Sequence, residues 1–595
     1  RGGTKAQGRC AAKSHAPDAP RSGPRGGSPA YFGGLVATPP LSPPRPRQLA
    51  MRRAGALRAQ REGREVDQCL ICTSITGATV EDCLAEVRSA AAQGVDIVEL
   101  RLDFLASLQR EEAGEGRAAV ASLVAACGDA GLLCLVTFRP SWEGGQYEGA
   151  EAFRMETLRE AAAAGADFID LEYKLGAEAI QAFKADAVAA GRARIIVSDH
   201  NYEVTPAPEE LAALVRGMKA CGADIVKLAT MANATGDAFR MLELARSESL
   251  DHGRPTIALA MGEQGLPSRL LAPKYGGFLT FGALAAGSES APGQPSIADM
   301  TQVYRLKQQG SDTRVFGVIG DPIKHSMSPV IHNAAFEALG VDAVYLPFLV
   351  TDIEDFMDTF VAHKLAGCSI TIPHKEHVAG YCADVDPVAQ QIGAINTIVA
   401  SSSSSSGEDK ALRASNTDWV AAISAIEAKL AAVDGGSGSG LEGQRVCILG
   451  SGGTARALAF GAISRGARVT IANRTLSKAQ ALAKELGCEA MSLEDLESSS
   501  EAAGSVLINT TSVGMSPNVD QAAVSQQVVA RFALVFDAIY NPLRTKLLQL
   551  AEEEAKLTVS GVEMFIGQAA EQFKQFTGGR DPPLELMRDK VMERL

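Results

Sequence analysis

The sequence predicts an α/β chain in two parts: a (β/α)8 barrel, then a two-domain α/β unit whose second domain is Rossmann-like. Three observations carry this. Residues 66–305 alternate eight short apolar runs with Ala-rich helical stretches. A second strand–helix series opens at Phe316-Gly-Val-Ile-Gly320. Within it, a strand turns through Gly450-Ser451-Gly452-Gly453 into an Ala-rich helix that begins Thr454-Ala455.

The expected barrel strands are 68–73, 94–101, 132–138, 166–172, 193–199, 223–228, 255–261 and 276–281. Runs such as Ile195-Ile196-Val197 are nearly continuous in apolar residues, as in parallel strands covered on both faces. Barrel active sites lie at the C-terminal ends of strands, so those ends hold the candidates. The second strand ends in Glu99-Leu-Arg101-Leu-Asp103, and the third in Phe138-Arg139, followed by Glu143-Gly-Gly145. Asp170 and Glu172 end the fourth, Asp199-His200 the fifth, and Lys227 lies in the sixth. Ser268-Arg269 follow the seventh, and Ser290-Ala-Pro-Gly-Gln294 the eighth.

Alternation puts every second residue inside a barrel, where ionisable groups need partners or a chemical task. Lys227 alone reads equally as an ion-pair partner of Glu99 or Glu172. A lysine, a histidine, three arginines and several carboxylates on one rim point to chemistry. Desolvation is expected to lower the lysine's pKa and leave a free amine, which attacks a ketone to give an iminium. The iminium acidifies the neighbouring C–H. A histidine takes that proton and returns it to a leaving hydroxyl. Arg139 and Arg269 are expected to grip a substrate carboxylate. Asp199 is expected to raise the pKa of His200.

These residues, across the whole of 66–305, resemble the type I 3-dehydroquinate dehydratases. The resemblance implies that Lys227 forms the imine, His200 is the acid/base and Glu143 supports it. It implies substrate contacts at Glu99, Arg101, Arg139, Arg269, Ser290 and Gln294. Leu259 stands where some members carry Met, and a change of packing only is expected.

Residues 306–314 read as a short polar linker, and 315–433 as a substrate domain. Residues 434–443 read as a flexible hinge, 444–560 as the dinucleotide domain and 561–595 as returning helices. The glycine turn lacks the Gly-Lys-Ser/Thr of a P-loop and places a pyrophosphate at a helix N-terminus. The next strand ends in Asn473-Arg474-Thr475, with Lys478 close by, and offers no acid for a ribose diol. Arg474 suits a 2′-phosphate, so NADP is the expected cofactor rather than NAD.

Upstream, Ser326-Met-Ser328-Pro329 opens a helix, Thr371-Ile-Pro-His-Lys375 follows a strand, and Asn396 ends another. Asn416-Thr417-Asp418 opens a helix, and Asp418 alone reads as a cap. Together these groups suit a polyhydroxylated ring, with Lys375 beside Asp418 as acid/base for ketone reduction.

The span 313–595 resembles shikimate dehydrogenases. The resemblance implies Lys375 and Asp418 as the catalytic pair. Ser326, Ser328, Thr371, Asn396, Tyr540 and Gln568 become substrate contacts, and Thr511, Gly561 and Met564 cofactor contacts. The motifs Asn509-Thr-Thr-Ser-Val-Gly514-Met515 and Asp537-Ala-Ile-Tyr540-Asn-Pro542 match as well. Two departures are Ser415 (followed by Asn416), where a Gly two residues before Thr417 is usual, and a Ser-rich insertion at 401–410, expected as a solvated hairpin tip.

The two parts together resemble plant-type bifunctional enzymes of aromatic amino-acid synthesis, which implies 3-dehydroquinate, 3-dehydroshikimate and shikimate as substrates. Quinate is the rival substrate. The resemblance ties it to a smaller residue at Ser328 and a changed Thr371, and both are intact. A non-catalytic regulator on the same domains is the other alternative, but Lys227, His200, Lys375 and Asp418 are all present.

Composition bounds the rest. A net charge of −13 argues against a nucleic-acid partner, and no apolar run reaches membrane-spanning length. Cys69 and Cys72 form a CxxC without a second pair, so reduced thiols fit better than a metal or disulfide framework. Residues 1–65 are rich in Arg, Pro, Gly, Ala and Ser, with Asp18 the one acid before Glu62. They read as a plastid transit segment or as a basic tail without fold.

Overall fold

In the first part, period-two alternation sorts each strand into an inner and an outer face. The computed structural model describes residues 68–595 apart from 111–112, 191–192, 286, 401–410, 434–439 and 500–503. Of the two compact units, Arg1–Arg52 and Arg53–Leu595, the first lies wholly outside the described residues. So do the expected transit segment, the Ser-rich tip and most of the expected hinge.

The barrel strands are β1 (Leu70–Ile75), β2 (Ile97–Arg101), β3 (Leu133–Thr137), β4 (Phe168–Glu172), β5 (Arg194–Asn201), β6 (Ile225–Met231), β7 (Thr256–Met261) and β8 (Leu279–Phe281). The strand order is β7-β6-β5-β4-β3-β2-β1-β8, and all paired neighbours are parallel. At the β7/β8 seam, the Phe278 N–H donates to the Thr256 carbonyl at 2.9 Å. All eight expected strands are present, with ends shifted by up to three residues. β2 starts late because Gly94 caps the preceding helix in the left-handed region at φ 80°.

Helices α1 (Val80–Gln93), α2 (Ala113–Asp129), α3 (Glu151–Ala163), α4 (Ala177–Ala190), α5 (Pro208–Ala220) and α6 (Thr235–Arg246) cover the outer face. Inside, Leu70, Cys72, Ile97, Leu133, Leu135, Phe168, Ile196, Ile225, Ile257, Leu259, Leu279 and Phe281 fill the tube as one apolar plug. Leu259 sits in this plug, in keeping with a packing role. Two residues further along their strands stand Ser74, Glu99, Thr137, Asp170, Ser198 and Lys227. A polar layer thus rests on an apolar floor.

The substrate domain holds β9 (Arg314–Gly320), β10 (Ala343–Leu349), β11 (Gly367–Ile370), β12 (Asp384–Val385), β13 (Thr397–Ala400) and β14 (Leu412–Ser415), in the order β10-β9-β11-β13-β14-β12. Its helices include α7 (Ser328–Ala338) and α8 (Ile353–Ala362). β13 and β14 pair antiparallel on either side of the Ser-rich insertion. Helix α9 (Asp418–Val433) leads on to β15 (Arg445–Leu449), β16 (Arg468–Asn473), β17 (Glu489–Ser492), β18 (Gly504–Asn509), β19 (Phe532–Asp537) and β20 (Leu557–Val559).

That last sheet is parallel in the order β17-β16-β15-β18-β19-β20, so its direction of winding reverses between β15 and β18. Ligands of such sheets bind at that switch point. Helices α10 (Gly453–Ser464) and α11 (Leu476–Leu486) follow β15 and β16. The last helices, α12 (Gly561–Thr577) and α13 (Leu584–Met592), return as expected. Phe565, Phe573, Phe576, Met587 and Val591 share a core with Phe316 and Phe336 of the substrate domain.

The expected polar linker is partly built into the fold. Leu306 is buried in a core shared by the barrel helices and the substrate sheet. Lys307 reaches Asp96 of the barrel at 2.6 Å, and Thr313 donates to Asp342 at 2.7 Å. In the same core, α6 meets the substrate domain. The Phe239 ring lies 4.7 Å from His363 and 6.3 Å from Phe348, and Thr235 Oγ1 donates to the Leu349 carbonyl at 3.1 Å. Phe239 is fully buried. Phe239→Ala is expected to cost about 3–5 kcal/mol, read as a fall in the urea midpoint at which each activity disappears.

Candidate active sites in the barrel and the dehydrogenase half

The polar layer of the barrel is a chain of alternating charges. Lys227 Nζ lies 3.0 Å from Asp170 Oδ2 and 3.3 Å from Glu99 Oε1. Arg139 Nη2 donates to Asp170 Oδ1, and its Nη1 to Glu172 Oε1, each at 2.8 Å. Arg154, on α3 and fully buried, closes the line on Glu172 Oε2 at 2.9 Å. Three cations therefore face three carboxylates. Hydroxyls fill the gaps: Ser198 donates to Asp170, Thr137 and Ser74 to Glu99, and Ser290 to Ser74. The Gln294 Oε1 holds the Ser290 N–H at 3.0 Å. Arg101 forks onto Asp103 at 2.8 and 2.7 Å.

Three expectations are corrected here. Burial alone lowers the Lys227 pKa, but the Asp170 and Glu99 carboxylates outweigh it and hold the ammonium above its ordinary value. The resting lysine is charged, and its ion-pair partner on β4 is Asp170 rather than Glu172. The same balance brings Glu99 down to about 2, because Lys227 and Arg101 outweigh its burial. Arg139 is not free to grip a carboxylate, since both terminal nitrogens are bonded to β4 and β5. Arg269 is free: it is 2% exposed, its Nε has no hydrogen-bond partner among the described residues, and burial lowers its pKa to about 10. Ser268 supports the turn that carries it, with its hydroxyl donating to the Gly265 carbonyl at 2.7 Å.

The third correction concerns His200. Asp199 does not raise its pKa, because adjacent strand residues face opposite sides. Asp199 instead lies 3.9 Å from Lys174. Burial, then the charges of Arg139 and Lys227, bring the imidazole down to about 4 despite its bond to Glu143. Glu143 Oε1 accepts the His200 backbone N–H at 2.8 Å and lies 3.3 Å from Nδ1. The Gly-Gly after Glu143 is sterically required. A Cβ at Gly145 would sit 2.1 Å from the Arg139 carbonyl oxygen. Lys174, Arg154 and Tyr202 were not signalled by the sequence, since each stands outside the strand-end motifs.

In the second half, Lys375 follows β11 and Asp418 opens α9, and they meet at 2.5 Å. Asn396 Nδ2 donates to the other Asp418 oxygen and to Thr417, both at 2.9 Å. Ser415 stands where a glycine is usual, without loss of order: its hydroxyl donates to Gln575 Oε1 at 2.8 Å, while Asn416 donates to the Ala394 carbonyl and accepts the Asp418 N–H. The Ser326 hydroxyl accepts the Ser328 N–H at 3.3 Å, and Ser328 is buried at the start of α7. Thr371 is half-buried against Gly320. Tyr540 stacks on Phe565 at 4.4 Å, and Gln568 donates to the Phe565 carbonyl at 2.9 Å. Beneath them, Tyr345, Ser369 and Gln572 run as a buried hydrogen-bonded line to the Asn396 carbonyl.

The turn after β15 fits a dinucleotide. Gly450 adopts φ 111°, and a Cβ there would lie 2.6 Å from Thr510 Oγ1. A Cβ on Gly452 would meet nothing within 4 Å, which leaves room for phosphate at the helix start. Ser451, Thr454 and Ala455 line the same helix start, and Thr454 Oγ1 stands 3.4 Å from Lys375 Nζ. A Cβ on Gly453 would press the Lys375 stem at 3.0 Å. Arg474, Thr475 and Lys478 are exposed at the end of β16, and Asn473 donates to the Thr475 carbonyl. Thr511 is tied to Asn509, and Asn509 to buried Asp537. Gly561 and Met564 lie at the start of α12, both buried.

A histidine held at about 4 is a neutral base at pH 7. The imidazole of His200 is expected to titrate near 4, well below 6.5, by NMR of the intact chain. Lys227→Ala removes a positive neighbour and is expected to move it upward. Because the folded value lies below the unfolded one, the unfolded chain takes up the proton first. Stability is therefore lost as pH falls from 6.5 towards 4.

Residues 71–311 match the family described as Type I 3-dehydroquinase, and 318–398 the Shikimate dehydrogenase substrate binding domain. Residues 433–542 match Shikimate / quinate 5-dehydrogenase, and 561–592 the Shikimate 5'-dehydrogenase C-terminal domain. The chain is 43% identical over 514 residues to the "Bifunctional 3-dehydroquinate dehydratase/shikimate dehydrogenase, chloroplastic" of Arabidopsis thaliana, covering 86% of this chain and 82% of that protein. Its second half is 40% identical to "Shikimate dehydrogenase (NADP(+))" of Methanosarcina barkeri, over 47% of this chain and 99% of the relative. The enzyme of the same name from Bacillus cereus is 36% identical over 47% of this chain and 99% of its own length. The chain belongs to the family of bifunctional 3-dehydroquinate dehydratase/shikimate dehydrogenases.

Proposed function

We propose that the barrel dehydrates 3-dehydroquinate and that the second half reduces the resulting 3-dehydroshikimate to shikimate with NADPH. One observation carries the first step: Lys227 lies between two carboxylates above an apolar floor, beneath a mouth where, among the described residues, the buried Arg269 has no countercharge. Arg269 pairs with the substrate carboxylate. Arg101, Gln294 and Ser290 line the ring, Glu99 takes one of its hydroxyls, and Arg139 keeps the charged layer beneath it in place.

Lys227 gives up its proton and adds through Nζ to the ring ketone. Loss of water leaves a protonated imine. Neutral His200, oriented by Glu143, takes a proton from the adjacent carbon, and the electron pair moves into the imine to form an enamine. The enamine then expels the neighbouring hydroxyl, His200 returns its proton to that oxygen, and water leaves. Water finally adds to the imine carbon, freeing the enone and the amine.

At the second site, bound NADPH supplies a hydride. Lys375 gives a proton to the ketone oxygen, and Asp418 holds the ammonium in line. Asn396, Ser326, Ser328, Thr371, Tyr540 and Gln568 orient the ring. Gly450, Ser451, Gly452, Gly453, Thr454 and Ala455 would hold the cofactor's pyrophosphate. Asn473, Arg474, Thr475 and Lys478 would hold its 2′-phosphate, and Thr511, Gly561 and Met564 would complete the cofactor site. Intact Ser328 and Thr371 favour shikimate over quinate. The acid-poor residues 1–65 and the chloroplastic relative support a plastid location.

Borohydride added to enzyme with 3-dehydroquinate is expected to leave a stable adduct on the peptide that holds Lys227. No adduct there overturns the imine route. Lys227→Ala is expected to lower dehydration at least about 100-fold while shikimate oxidation stays at the parent rate, and Lys375→Ala should do the reverse. Arg474→Ala is expected to raise KM for NADP about tenfold without changing the weak use of NAD. An equal change for both cofactors removes Arg474 from the 2′-phosphate site.

A further inference from the structure

Glu143 carries a second charge partner that the steps above do not use. The turn Ser141–Glu143 after β3 brings its carboxylate inside, where it is 1% exposed. One oxygen faces His200. The other accepts a bond from Lys174 Nζ at 2.6 Å. Lys174 stands in the turn Tyr173–Leu175 that follows β4, with its side chain about half exposed. A single carboxylate therefore lies between an imidazole and an ammonium.

Among the described residues, the groups in salt-bridge reach of Glu143 are Lys174 and the His200 ring. A buried carboxylate needs a countercharge. When His200 is neutral, Lys174 supplies it. The other groups that face the imidazole are Arg139 just after β3 and Lys227 on β6, which oppose its protonation, and Asp170 on β4, which favours it. Tyr202 stacks beside the ring at 6.2 Å. Lys174 itself faces Glu143, Asp199 and Tyr202.

We propose that Lys174 is a positioning residue of the dehydratase site. Through Glu143 it holds the His200 ring in place and sets how readily that ring takes a proton. Without the ammonium, Glu143 acts on His200 with its whole negative charge. The imidazolium is then favoured, and the carboxylate loses the contact that fixes one of its oxygens. Arginine at this position keeps the charge; methionine keeps the stem alone. The proposal rests on His200 being the acid/base.

The test uses the full chain labelled at histidine, with His200→Ala to assign the signal. Shikimate oxidation on the same chain reports that the variants are folded. Lys174→Met is expected to move the His200 titration upward by about one pH unit. The acid limb of dehydration should move with it, and kcat should fall about tenfold with a smaller change in KM. Lys174→Arg is expected to keep the titration and the limb near the parent positions. A His200 titration unchanged in Lys174→Met overturns the proposal, whatever the activity. If His200→Ala still dehydrates at the parent rate, the acid/base assignment fails instead, and the proposal falls with it.

Discussion

An ammonium inside a parallel barrel is tolerated only when carboxylates balance it at close range. Lys227 meets this condition through Asp170 and Glu99. The carboxylates in turn need balance, which Arg139, Arg154 and Arg101 provide. The result is a neutral layer of alternating charge on an apolar floor. Each member has a fixed orientation because moving one strands another. The layer also explains the state of His200: two nearby cations and little water make protonation costly, so the ring waits as a base. Arg269 stands outside the balance, and its lone positive charge fits the one negative charge of a keto acid.

The second site is buried as well, and it is built where two domains meet. Lys375 belongs to the substrate domain, yet its stem lies against the position of Gly453, in the turn that receives the cofactor. Asp418 opens a helix that leads from one domain to the other. The acid/base pair therefore sits where both domains can position it. The lack of a side chain at Gly453 is what lets the lysine approach the turn.

Much of this was legible in the sequence, and the reasons are local. Strand-end motifs such as Glu99-Leu-Arg101 and Asp199-His200 announce themselves, because a barrel's periodicity fixes which ends share a rim. The glycine turn and the acid-free end of β16 likewise need only neighbours in sequence. Long-range pairing was not legible. Composition cannot reveal that Arg139 lies over Asp170 and Glu172, nor that Asp199 faces Lys174 rather than His200. The charge state of Lys227 followed the same pattern: desolvation is visible in an apolar strand and Glu99 stands out as a partner, whereas the place of Asp170 beside the ammonium is not visible. The linker 306–314 looked polar by composition, but Leu306 and Thr313 are drawn into the core beneath it.

The seam around Phe239 bears on how this chain can be inherited. Here, separating the two halves would expose Phe239 and Phe348, which cover one another across the seam, to water on both fragments. A lineage that split this gene would first have to repaint two surfaces with polar residues. The fusion is thus hard to reverse by a single genetic event.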